Sequence, residues 1–272
     1  MKLFFIVLAC CIAQSVHGAF ERMPLGARST ALGGSSLALG GKTLELHSNP
    51  SIAAHSHDWI LSLNYVPSLF DLRELSRASF VCIAPSGVGT FALSGSRFGF
   101  DLYREVTLTS TFAFEALSGM AVGVNLDWYS LVIQNYGSAT AVGTDVGLLM
   151  NVAESVCWGF SGQNLNAPTV GAERERLPQV FSTGLVYQPN EASTIVAELV
   201  KDIRYAVDIR IGIEYSFLGL LDLRGGASTD PSTYGGGIGL HYAGFLLDYA
   251  LRVHPDLGST HHVSFTIAFG DL

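Results

Sequence analysis

From Trp59 to the C-terminus, apolar and polar residues alternate with a period of two. In FLLDYALRV, Phe245, Leu247, Tyr249, Leu251 and Val253 share one face, while Leu246, Asp248, Ala250 and Arg252 share the other. Such a period places successive side chains on opposite sides of a β-strand. Val207, Ile209, Ile211, Ile213 and Tyr215 likewise oppose Asp208, Arg210, Gly212 and Glu214, and Leu221 and Leu223 oppose Asp222 and Arg224. The pattern predicts fourteen strands, near 59–66, 74–84, 87–97, 103–115, 119–130, 140–153, 155–165, 178–188, 192–202, 207–217, 220–228, 233–242, 244–253 and 260–270. The breaks carry turn residues, as in APSGVG (84–89), YQPNEA (187–192) and STDPST (228–233).

Short strands with short turns point to an all-β sandwich or barrel. The polar faces decide between them, because they hold Gly, Ser, Thr and opposite charges rather than the Lys and Glu of a solvated surface. Only 14% of the 272 residues are charged, and Gly contributes 30. A ten-residue strand rises about 33 Å, and a tilt near 40° leaves about 25 Å, the height of an outer-membrane barrel's apolar band. Trp59, Tyr65, Trp128, Tyr187, Tyr215 and Tyr242 are placed to form girdles at the strand ends. The fold class expected is therefore a transmembrane antiparallel β-barrel of about 14 strands, facing outer-membrane lipid. Asp208, Arg210, Glu214, Asp222, Arg224, Asp248 and Arg252 then point into the lumen, with Glu198, Asp202 and His241 as further candidates. Their mixed signs suit a network that fills the lumen better than a selective pore lining.

The first residues read differently. Met1-Lys2, the apolar run 3–13 and SVHGA form a signal peptide cleaved after Gly18. Cys82 and Cys157, the two cysteines beyond it, are expected to be unpaired thiols. Residues 19–58 are small, apolar and poor in charge, so they need cover. They are expected to form a plug packed on a polar inner wall, with Asn49-Pro50 starting a short helix, while 59–272 forms the barrel.

GARSTALGGSSLAL and NPSIAA, followed by TDVGLLMNV, WGFSGQNLN, LPQVFSTGLVYQP, IRIGIEYSF, GGGIGLHY and LLDYALRV, resemble in order and spacing the PorV/PorQ family, relatives of the FadL-like outer-membrane barrels. Gly26, Ala27, Arg28, Gly33, Gly34, Asn49 and Pro50 match that family's N-terminal motif. Asp145, Asn164, Pro178, Glu214, Arg224 and Asp248 match its recurring polar positions. The resemblance implies a component of type IX protein secretion with secretion-system partners. The alternatives are a FadL-like plugged channel for small hydrophobic molecules and a structural barrel without transport.

Net charge of −8 argues against nucleic acid as a partner. No nucleophile elbow, phosphate loop or Cys-x-x-Cys is present, so no enzyme activity, cofactor or metal is expected. GGGIG (235–239) sits within a strand pattern and reads as close strand packing. His55/His57 and His261/His262 read as solvated turn histidines.

Overall fold

The computed structural model describes residues 18–40 and 45–269; the cleaved signal peptide expected over 1–18 lies almost wholly outside them. The strands are β1 (Trp59–Val66), β2 (Arg77–Ser86), β3 (Gly89–Gly99), β4 (Tyr103–Leu117), β5 (Met120–Ile133), β6 (Gly137–Ala153), β7 (Val156–Gln163), β8 (Thr169–Val170), β9 (Glu175–Arg176), β10 (Val180–Asn190), β11 (Ser193–Asp202), β12 (Val207–Phe217), β13 (Leu221–Thr229), β14 (Ser232–Tyr242), β15 (Phe245–His254) and β16 (Gly258–Phe269). Fourteen of them close into one antiparallel barrel, sealed by β1 against β16 from Trp59↔Phe269 to Tyr65↔Val263. Closure leaves none of these fourteen strands at a sheet edge. β8 and β9 pair apart as a small hairpin.

Every expected strand end lies within three residues of an observed one. The alternating faces point as the pattern requires: Ile209, Ile211 and Ile213 are exposed on the outer wall, while Asp208 and Glu214 are buried inside. Trp59, Tyr187, Tyr215 and Tyr242 stand exposed toward the end where strands are joined by two or three residues, and Tyr65 lies toward the other end. Trp128 departs from the girdle. β5 continues to Ile133, which leaves Trp128 within the wall.

Residues 18–40 and 45–58 lie inside the barrel, from its loop end to its short-turn end. A five-residue helix, α1 (Ala27–Ala31), lies against β13, β14, β15 and β16. The chain then crosses to β7, where Leu37 and Ala38 face Gly159, and to β5 and β6, where Asn49, Pro50 and Ser51 face Gly123 and Gly147. Asn49 caps the next stretch as expected, its Oδ1 accepting from the Ser51 N–H at 3.1 Å, but Pro50–His55 is 3-10 rather than α-helical.

The seat of this segment is less polar than expected. Leu46, Ile52 and Ala53 pack on Ile60, Val81, Ile83, Ala92 and Ala113, and Leu32, Ala38 and Leu39 on Ala121, Leu149, Val186 and Val196. These wall residues face inward because their strands, such as RASFVCIAPS, are apolar on both faces there. Each Leu or Ile buried this way contributes about 1.5–3 kcal/mol. The segment is thus anchored by an apolar layer near the short turns and by charges above it.

Candidate functional site

Inward positions on β12, β13 and β15 bring four of the expected lumen charges together. Arg224 is the centre: its Nε donates to Glu214 Oε2 at 2.5 Å, its Nη2 to Asp222 Oδ2 at 2.6 Å, and its Nη1 to Asp248 Oδ1. The register sets this up, since Glu214 and Arg224 are direct cross-strand partners and Asp248 pairs with Gly239. A Cβ on Gly239 would stand 2.8 Å from the Arg224 guanidinium. Ser216 Oγ donates to Asp222 Oδ1, and His241 Nε2 lies 2.6 Å from Asp222 Oδ2.

Arg28 of the N-terminal segment enters the same cluster. Its Nε and Nη2 clasp Glu214 at 2.9 and 2.7 Å. Burial pulls the Arg28 pKa down, but the charge and hydrogen bonds of Glu214, with Asp248 and Asp222 nearby, leave it above the free value. The side chain is therefore held as a cation between α1 and the wall.

The other expected charges lie apart. Arg210 bonds Asp208 at 2.6 Å and reaches the Gly34 carbonyl at 3.0 Å, while Glu198 accepts from the Ser36 and Leu37 N–H groups. Arg252 donates to Thr233 Oγ1 and contacts neither group. Asp202 belongs to the loop end, where it pairs with Arg204. In the motif at residues 26–34, the Gly26 carbonyl accepts from Thr30 N and Oγ1, Ala27 N–H donates to Ser264, and the Gly34 N–H closes the helix on Ser29. Gly33 has φ +70 and presses on the Ala227 backbone, so a side chain there meets both strain and a wall. Asn49, fully buried, also joins the segment to β6 by donating to the Leu37 and Leu148 carbonyls.

Asp145, Asn164 and Pro178 meet where β7 ends. Asn164, with φ +53, donates its N–H to Asp145 and its Nδ2 to the Pro178 carbonyl. Arg22 adds a bond to the far oxygen of Asp145 at 3.2 Å. Beyond this knot the Asn166 amide stands in for a strand, accepting from Thr144 N–H and donating to Val142 O.

Two readings need correction. His262 is buried in the lumen, 3.3 Å from Thr30 Oγ1, because residue 262 falls on the inward face of β16. The glycines of GGGIG serve the lumen's contents as well as strand spacing: Gly235 admits the Thr30–Ala31 backbone, and Gly237 admits the Ala31 methyl. Cys82 and Cys157 are free thiols.

Between residues 20–25 and β3–β5 lies a cavity of about 50 Å³. Phe20, Met23, Leu25 and Phe98 give it apolar surface, and Arg22, His47, Arg77, Thr107, Thr109, Asp127 and Tyr129 give it polar surface. Burial, then the charges of Arg22 and Arg77, push the His47 pKa well below the ordinary value, so the imidazole is neutral. Asp127 accepts from Thr109 through one oxygen. The cavity is not legible in the sequence: its polar members come from four strands, β2 to β5, and from the N-terminal segment, and only register and the course of that segment bring them together.

No family model and no curated protein sequence matches the chain. Solved structures do. The CymD monoaromatic hydrocarbon channel superposes with a TM-score of 0.69 at 12% identity, over 93% of this chain and 100% of that one. The Pseudomonas putida toluene transporter TodX gives 0.65 at 15%, over 91% and 99%, and a Pseudomonas aeruginosa FadL homologue 0.67 at 12%, over 93% and 100%. The chain shares the barrel fold of these channels.

Proposed function

We propose that the protein is an outer-membrane channel whose N-terminal segment plugs the barrel, and that a small, largely hydrophobic molecule passes between this segment and the wall. The observation that carries this reading is the cavity beside residues 20–25, half apolar and bounded on one side by a segment that is not a barrel strand. The fold shared with a monoaromatic hydrocarbon channel and a toluene transporter supports it. The outward Ile, Leu, Val and aromatic side chains suit lipid contact, and the short turns suit the periplasmic side.

At about 50 Å³ the cavity is smaller than the roughly 150 Å³ that accepts benzene. Passage of a ring-sized molecule therefore requires residues 20–25 to shift, and the arrangement described is the closed one. The matched structures give no support to the type IX secretion role implied by the N-terminal resemblance.

Uptake of labelled toluene and of a long-chain fatty acid by an outer-membrane host lacking its own hydrophobic channels tests the reading. Cells expressing the protein should take up at least one of the two faster than cells carrying an empty vector. Equal uptake of both would leave a structural barrel.

A further inference from the structure

We propose that the loop end of the lumen holds a seat for the protein's own amino terminus: cleavage between Gly18 and Ala19 frees an ammonium group on Ala19, which binds the Glu175 carboxylate and fixes the wall of the cavity. In the cleavage, water adds across the Gly18–Ala19 peptide bond in a leader peptidase. Gly18 leaves as a carboxylate with the leader, and Ala19 keeps the nitrogen as –NH3+.

The seat is visible in the uncut chain. The Ala19 N–H points at Glu175 Oε1, 3.3 Å away, and the Phe20 N–H bonds Glu105, which also accepts from Tyr103 at 2.5 Å. Ala19 and Phe20 are buried with Tyr129, Val170 and Leu177, and the Phe20 ring meets the edge of Tyr129 at 4.9 Å. The β8–β9 hairpin supplies Val170 and Glu175, and so covers residues 19 and 20.

Charge favours an end of chain here. A Cβ on residue 18 would stand 2.7 Å from Glu175 Oε1 and 3.0 Å from Arg204 Nη1, so the ends of both side chains lie close to the Gly18–Ala19 bond. Glu21, Glu105 and Glu175 all converge on this corner. Of the cations near them, Arg204 is bound twice to Asp202, at 3.0 and 2.7 Å, and Arg77 sits beside Glu105. A peptide N–H brings no charge to Glu175, whereas an ammonium brings one positive charge and further donors. Because Ala19 is buried, cleavage precedes closure of the barrel. Residues 20–25 line the cavity, so the seat pins the part of the segment that must move for a solute to pass.

The test uses the mature protein purified from outer membranes. Intact mass should show a chain beginning at Ala19. Reductive methylation of the α-amine should then be slower in the folded barrel than in urea. Glu175→Gln should speed methylation in the folded barrel by about threefold, the scale of a partly exposed ion pair. Glu173→Gln, in the same hairpin, should not change it, and heat-modifiable migration on gels shows that each variant is folded. A mature chain beginning elsewhere, or equal methylation rates in wild type and Glu175→Gln, overturns the proposal. Neither result depends on what the barrel transports.

Discussion

Arg224 shows how one residue can govern the lumen. It serves Glu214, Asp222 and Asp248 at once, with its side chain 1% exposed, so removing it leaves three carboxylates facing one another. Arg224→Met should cost about 3–5 kcal/mol in urea unfolding, as expected when a buried pair loses one partner. Asp248→Leu should cost less, about 1–3 kcal/mol, because Arg224 keeps two acceptors. A larger loss for Asp248→Leu than for Arg224→Met would mean that Arg224 is not the hub. Glycines make a second contrast. A Cβ on Gly226 meets the Leu32–Gly33 peptide, while one on Gly225 meets nothing within 4 Å. Gly226→Val should therefore loosen the N-terminal segment and raise its susceptibility to protease, and Gly225→Val should leave it protected. Proteolysis of the two folded variants checks this. The charges were legible in the sequence because each breaks an apolar alternation. The glycine seats were not, since a glycine in a strand pattern does not say what approaches it.

Among the elements, strands were legible and the N-terminal segment was only outlined. Period two, turn residues and the lack of a helical pattern locate all fourteen barrel strands within three residues. The β8–β9 hairpin escaped because two-residue strands leave no period to read. Residues 19–58 declared themselves as covered, non-strand chain, but their apolar seat lies in wall strands where both faces are apolar, so the inward face cannot be told apart. Asn49 was legible as a cap, yet its side chain also joins two parts of the plug to β6. Asn49→Ala should cost about 1–3 kcal/mol for the carbonyls and N–H left unpaired, more than a helix cap alone. A change below about 0.5 kcal/mol in urea unfolding would show that the plug is anchored elsewhere.

At the scale of the whole molecule, closure turns one apolar face of the sheet outward and leaves a lumen that other residues fill. Fourteen strands enclose more space than their inward side chains fill, and residues 18–40 and 45–58 occupy it through an apolar base, a charged middle held by Arg28, and the buried pair Ala19 and Phe20 near the loops. The central claim, that this segment closes a channel, is tested most directly by single-channel recording in planar bilayers. Wild-type protein should conduct little, and deletion of residues 26–54 should leave a folded, heat-modifiable barrel with much larger steady conductance. Large steady pores in wild type, or a folded deletion that conducts no more than wild type, would contradict it.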